Sequence, residues 1–230
     1  MRILALDTSG ECCSVAVGDD DAWCVREERT GPENSERLLP LVRAALAEAG
    51  ATLASLDGVA FSAGPGSFTG VRLGCGVAQG LALGADLPVV AVPTLEALAE
   101  AARERHGWTQ VVACLDARMR EVYVAAYAHG EAAWRAVADA AVLAPVDVPP
   151  PSASRWFGAG NGFAAYGDLA ARLALAAIDS DLRPHAKQVG ALALPRLVAG
   201  EGVPAHAALP LYVRHRVALT MAEREAGVRL

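Results

Sequence analysis

Ile3-Leu4-Ala5-Leu6-Asp7-Thr8-Ser9-Gly10-Glu11-Cys12-Cys13-Ser14-Val15-Ala16-Val17 reads as an apolar strand ending in aspartate, a tight turn, a glutamate and a second strand. Cys114-Leu115-Asp116, followed by Glu121-Val122-Tyr123-Val124-Ala125-Ala126, repeats that order. We read the pair as an internal structural repeat, with a lobe boundary near His106–Thr109. A chance likeness of two β-hairpins is the alternative. On the first reading the chain divides into lobes 1–107 and 108–230.

Working outward, Ala22–Arg29 makes a third strand of a meander, and Thr30-Gly31-Pro32-Glu33-Asn34 is a polar loop. A helix to Ala49 follows, with Leu38, Val42, Ala45, Leu46 and Ala49 on one face. Pro40 predicts a late start or a bend, and Gly50 ends the helix. Gly58–Ser62 is a buried strand. The loop Gly64-Pro65-Gly66-Ser67-Phe68-Thr69-Gly70 then leads into a helix that carries Gly70, Gly74, Gly76, Gly80 and Gly84. Each interior helical glycine costs about 0.8–1 kcal/mol relative to alanine, so something approaches this backbone closely. Strand Pro88–Val92 and helix Leu95–Arg105 complete an α/β layer arrangement. Farther on, Ala144–Ser154 is an extended loop and Phe157–Gly162 a glycine-rich turn. Leu169–Ile178 and Gln188–Val198 are helical, Pro210–Arg214 is extended, and the tail after Thr220 is solvated or frayed.

Composition bounds the function. The 230 residues are 53% hydrophobic and 20% charged, a globular balance with room for a sizeable core. No window of about 18 residues lacks charge, which excludes an apolar membrane span. Asp7 comes too early for a signal peptide, so a cytoplasmic protein is expected. A net charge of −6 disfavours a stand-alone nucleic-acid binder. Cys12, Cys13, Cys24, Cys75 and Cys114 include no CxxC pair and read as buried reduced thiols.

Two stretches carry candidate chemistry. Asp7-Thr8-Ser9-Gly10 offers hydroxyls and backbone N–H groups to an anion, and a carboxylate to a cation through water. An Asx or ST turn closing a hairpin is the competing reading. Gly64–Gly70 opens a helix, where N–H groups and the dipole favour negative charge, but no Lys-Ser/Thr pair follows it. Ser67 or Thr69 capping the helix explains the same residues. There is no GxSxG elbow, and the five histidines lack zinc spacing.

Asp7-Thr8-Ser9, the run Gly64-Pro65-Gly66-Ser67-Phe68-Thr69-Gly70-Val71-Arg72, Ala78-Gln79-Gly80-Leu81-Ala82, Asp116-Ala117-Arg118 with Glu121-Val122-Tyr123, and Pro210-Leu211-Tyr212 with Arg214 together resemble the TsaB (YeaZ) family. The resemblance covers nearly the whole chain. It implies the actin/Hsp70/sugar-kinase (ribonuclease H-like) fold, an α/β architecture of two βββαβαβα-type lobes with the second degenerate. It also implies a non-catalytic role beside a catalytic paralogue, TsaD, and an ATPase, TsaE. Together these transfer a threonylcarbamoyl group to N6 of adenosine 37 in tRNAs reading ANN codons. ATP and metal belong to the partner subunits and no cofactor to this chain, which forms a homodimer when alone and meets tRNA only through the complex.

The resemblance also assigns residues. The catalytic paralogue carries a Val-Asn-His-Leu-Glu-Gly-His run whose histidines bind metal. Here the stretch is Val92-Pro93-Thr94-Leu95-Glu96-Ala97-Leu98, with Thr94 and Leu98 at the ligand positions. Two departures from the family pattern are Asn34 before Ser35-Glu36, and Arg120 where glycine is common. The helices Ser35–Ala49 and Phe68–Leu83 resemble the docking pair. We expect the Gly76, Gly80 and Gly84 face to pack internally, leaving Leu38, Val42, Leu46, Val71, Cys75, Ala78 and Leu81 for the partner. Asp7, Thr8, Ser9, Gly66, Ser67, Arg118 and Glu121 are expected as vestigial nucleotide or anion contacts. The rival readings are a stand-alone ATP-dependent small-molecule kinase and a peptidase. The latter has no readable nucleophile–base pair.

Overall fold

The computed structural model describes residues 1–152 and 155–214. It contains two five-stranded sheets built on one plan. In the first, β1 (Ile3–Asp7), β2 (Cys12–Gly18), β3 (Trp23–Arg29), β4 (Gly58–Gly64) and β5 (Val89–Pro93) lie in the order β3-β2-β1-β4-β5. Helix α1 (Asn34–Glu48) joins β3 to β4, α2 (Phe68–Ala85) joins β4 to β5, and α3 (Thr94–His106) follows β5. In the second, β6 (Gln110–Asp116), β7 (Val122–His129), β8 (Trp134–Leu143), β9 (Phe157–Ala159) and β10 (Ile178–Asp179) lie in the order β10-β9-β6-β7-β8. Each sheet has two antiparallel pairs on one side of its first strand and two parallel pairs on the other. The shared order, with Asp7 and Asp116 each closing the first strand, shows the repeat read from the two hairpins.

The second copy has lost its helices. Among the described residues no α-helix lies between β8 and β9, where a proline-bearing stretch runs instead. Only two four-residue helices, α4 (Gly162–Ala165) and α5 (Leu169–Arg172), link β9 to β10. A helix over Leu169–Ile178 is therefore corrected. It stops at Arg172, Ala174 takes φ 51°, and Ile178 pairs with Gly158 as part of β10. Phe157–Ala159 is likewise strand rather than turn, because it pairs in parallel with Val111–Ala113. Pro40 neither delays nor ends α1; it lies on the exposed side, where its missing N–H faces solvent. The tail after Thr220 lies outside the described residues.

β1 is buried along its whole length, the continuous apolar run of a central strand covered on both faces. One face meets α1 and α2 through Leu38, Val42, Ala45, Cys75, Ala78 and Ala82. The other face is covered by α6 (Ala186–Val198), which comes from the end of the chain and brings Ala186, Val189, Ala193 and Leu194 against Ile3, Ala5 and Ala60. Helix α3 in turn packs Leu95, Leu98 and Ala102 on β6 and β7 of the second sheet. The two lobes thus exchange helices.

All five cysteines are free. Cys13, Cys75 and Cys114 are buried, but Cys12 and Cys24 are only partly so. Burial pushes the Cys114 thiol up to about 12, which keeps it protonated and inert. Among the described residues no helix is long and apolar enough to cross a membrane.

The helix exchange predicts that neither 1–107 nor 108–230 folds alone, since the first would bare the sheet face that α6 covers. Far-UV circular dichroism melts of the two fragments should show no cooperative transition, while an equimolar mixture regains one. A cooperative melt from 1–107 by itself would contradict this.

Candidate functional site

The glycine loop and the Asp7-Thr8-Ser9 turn meet in one joint. The Ser67 N–H donates to the Ser9 carbonyl at 2.7 Å, and the Thr8 hydroxyl donates to the Gly70 carbonyl at 2.7 Å. Asp7 Oδ1 accepts from the Ser9 N–H at 2.9 Å. Backbone approaches backbone so closely that a Cβ at Gly70 would lie 1.9 Å from the Thr8 carbonyl oxygen. At Gly66 it would lie 2.5 Å from that of Ser9, and at Gly74 2.7 Å from the Thr8 hydroxyl. These glycines are required by contact, not by flexibility. Ser67 caps α2 by accepting from the Gly70 N–H at 3.3 Å.

Asp7, Thr8, Ser9, Gly66 and Ser67 are therefore brought together, but their groups are largely spent on one another. The capping and packing reading of the glycine loop accounts for these contacts. Asp7, Thr8 and Ser9 are all buried. The Ser9 and Ser62 hydroxyls are buried without a hydrogen-bond partner among the described residues. Ser14, opposite Asp7 across the β1–β2 pair, accepts from the Ala186 N–H at 2.9 Å, so the first turn of α6 is seated here.

Arg118 and Glu121 sit on the matching hairpin of the second sheet. They do not pair with each other. Arg118 reaches Asp116 at 3.3 Å with 80% of its side chain exposed, whereas Glu121 accepts from Arg214 at 2.5 Å. Arg214 also donates to the Ala117 carbonyl at 3.0 Å. The turn between them is strained: Arg118, Met119 and Arg120 take φ of 60°, 54° and 61°. The left-handed region costs a non-glycine residue about 1–2 kcal/mol. Arg120, where the resemblance leads one to expect glycine, is one of the three.

Arg214 belongs to a segment that crosses from one lobe to the other. Its Ala208 carbonyl accepts from Gln79 on α2 at 2.9 Å, the Leu211 N–H donates to the Ala63 carbonyl at 2.7 Å, and Tyr212 accepts from Arg72 at 2.9 Å. Sequence reading found this segment extended but not its bridging role. Such a role follows from contacts more than 90 residues apart, which no local pattern carries.

The division of the α2 faces is the reverse of the expected one. Val71, Cys75 and Ala78 are buried, as are Leu38 and Val42 of α1, while Leu46 and Leu81 are partly buried against the same core. The buried five are closed to a partner in the folded lobe, whereas Leu46 and Leu81 keep part of their surface. The physical reason is Gly70: its contact with Thr8 turns the 70, 71, 74, 75, 78 and 82 side of the helix inward. Gly76, Gly80 and Gly84 point away, and among the described residues a Cβ at any of them would meet nothing within 4 Å. Leu83, 76% exposed, stands beside them. Asn34 accepts from the Thr30 hydroxyl and donates to the Gly10 carbonyl, tying the start of α1 to the β1–β2 turn.

Thr94 and Leu98 are both fully buried. The Thr94 hydroxyl accepts from the Gly64 N–H at 3.0 Å, and Leu98 packs so near Gly160 that a Cβ there would lie 2.7 Å from it. Among the described residues no three His, Cys, Asp or Glu side chains gather in a metal-binding group.

The family model described as "TsaD: tRNA N6-adenosine threonylcarbamoyltransferase" matches residues 28–220. The tRNA threonylcarbamoyladenosine biosynthesis protein TsaB of Escherichia coli is 40% identical over 223 residues, covering 95% of this chain and 96% of that one. Its namesake from Haemophilus influenzae is 37% identical over 229 residues, 94% and 95% of the two chains. Among solved structures, YeaZ from Pseudomonas aeruginosa superposes with a TM-score of 0.85 at 42% identity, over 92% of this chain and 99% of that one.

The glycine joint, the open helix face and the strained turn each predict the effect of a substitution. Gly70→Ala should destabilise by about 3 kcal/mol or more in urea unfolding, by forcing a Cβ onto a backbone carbonyl. Gly80→Ala on the open face of the same helix should stabilise by about 0.8–1 kcal/mol. Arg120→Gly should stabilise by about 0.5–1 kcal/mol, raising the melting temperature by roughly 1–4 °C. A lower melting temperature would show the turn to be unstrained.

Proposed function

The chain belongs to the TsaB (YeaZ) family, and from that premise we propose that it serves tRNA threonylcarbamoyladenosine biosynthesis as a scaffold subunit, not as the catalyst. Its fold is the actin/Hsp70/sugar-kinase (ribonuclease H-like) one. The observation that carries the scaffold reading is the uncovered glycine face of α2. Gly76, Gly80 and Gly84 each cost about 0.8–1 kcal/mol in a helix, and among the described residues nothing packs against them. A second helix can approach such a face to backbone distance. The exposed Leu39, Phe68 and Leu83 add apolar area on α1 and α2.

In this reading lobe 1–107 docks a TsaD-like catalytic paralogue through that face, and lobe 108–230 completes the scaffold. A TsaE-like ATPase joins the pair, and a second copy of this chain takes the face when the protein is alone. ATP and metal stay with the partners, tRNA is met through the complex, and the location is cytoplasmic. Two features support a non-catalytic chain. Thr94 and Leu98 replace the metal-binding histidines of the paralogue, and both are committed to packing. The Ser67 N–H and the Thr8 hydroxyl, which a kinase of this fold would turn toward phosphate, are already bonded within the chain. A stand-alone kinase is accordingly not favoured.

Gly80→Arg tests the docking face. The variant should melt no lower than the parent, yet lose co-purification with the TsaD-like partner and lose tRNA modification in a reconstituted assay. Ala78→Arg, on the buried face, should instead fail to fold. Normal association of both Gly76→Arg and Gly80→Arg would refute this docking face, and tRNA modification by the chain alone would refute the scaffold role.

A further inference from the structure

A cavity of about 450 Å³ opens where the β5–α3 junction, β7, β8, α6 and the lobe-crossing segment meet. Its walls include Glu96, Tyr127, Trp134, Asp139, Arg196 and Tyr212. The volume is within the range of small-ligand pockets. Two of the three rings are held in place by hydrogen bonds. The Trp134 indole N–H donates to Glu100 Oε2 at 2.8 Å, and the Tyr212 hydroxyl accepts from Arg72 Nε at 2.9 Å. Tyr127 stands edge-on to Trp134 at a centroid distance of 6.4 Å.

The charges on these walls do not balance. Arg196 donates to Glu96 at 2.5 Å, which leaves Asp139 as a surplus carboxylate. Asp139 is exposed at the cavity rim and among the described residues no group donates to it, while the Tyr127 hydroxyl makes no hydrogen bond although Tyr127 is only 6% exposed. The Tyr127 hydroxyl is not sealed off like those of Ser9 and Ser62 and lies at the cavity wall, where a ligand atom can reach it. Burial, and then the nearby Glu96 and Asp139 charges, push the Tyr127 phenol upward, so it stays a neutral hydroxyl. Its lone pairs can accept from an N–H donor.

We propose that this cavity binds a protonated amine or guanidinium, held by Asp139 and the Tyr127 hydroxyl and faced by the rings of Tyr127, Trp134 and Tyr212. Aromatic walls attract a cation through their ring quadrupoles, and a net negative lining rejects an anion. The cation belongs to a small free amine or to a basic side chain of a protein partner; the chemistry is the same. The proposal does not rest on the scaffold role.

The test is a titration of the full chain followed by the indole N–H signal of Trp134, identified with Trp134→Phe. Protonated n-butylamine and butylguanidinium should give saturable shifts, while butanol and butyrate should not. Asp139→Asn and Tyr127→Phe should each weaken cation binding by about fivefold or more, with melting curves like the parent's. An N-acetyl-lysine-amide peptide that binds more tightly than n-butylamine assigns the site to a protein side chain, and the reverse assigns it to a free amine. The proposal is overturned by equal responses to butanol, by binding unchanged in Asp139→Asn, or by no saturable shift up to cation concentrations on the order of 50 mM, where a millimolar site would fill.

Discussion

Where the first turn of α2 crosses the Thr8–Ser9 turn, backbone lies against backbone with no room for a Cβ. A methyl at Gly70 would sit 1.9 Å from the Thr8 carbonyl oxygen. This contact ties the end of the central strand to the helix that follows β4. It fixes the rotation of α2 about its axis, and much else follows from that rotation. Val71, Cys75, Ala78 and Ala82 are directed into the core, and Gly76, Gly80 and Gly84 are left to face outward. The same contact engages the Thr8 hydroxyl and the Ser67 N–H, groups that an anion would otherwise claim. One close approach thus engages the polar groups of both loops and leaves the second glycine face of α2 outward.

A second constraint acts between the lobes. Helix α6 covers the first sheet and α3 the second, so each lobe is completed by the other's helix. The segment from Ala208 to Arg214 adds polar ties from α2 to the β6–β7 turn. The second copy of the repeat has shed its long helices between β8 and β10, and borrowing α3 compensates for part of that loss. A sheet face left uncovered would otherwise expose Ala113, Ala125 and Tyr127, all buried here.

Much of this was legible locally. The apolar run before Asp7 and its echo before Asp116 gave the two first strands, because a strand buried on both faces needs an unbroken apolar run. The spacing of Leu38, Val42 and Ala45 gave α1 as amphipathic. The helical reading of Leu169–Ile178 failed because pairing with β9 captured Ile178, a long-range gain that outweighs local propensity. The faces of α2 were misassigned for a related reason. A helix with apolar and small residues on both sides carries no internal sign of which side meets the sheet.

Sequence alone determined the α/β class, the repeat and the clustering of glycines in the loop and helix after β4. Each of these is a property of residue type and short-range order. Tertiary structure decided which glycines touch the fold and which face outward, how the lobes exchange α3 and α6, and that Glu96, Tyr127, Asp139 and Tyr212 line one cavity. Those facts depend on distances between residues far apart in the chain. Such distances are set by how the sheets and helices pack, and neither periodicity nor propensity encodes them.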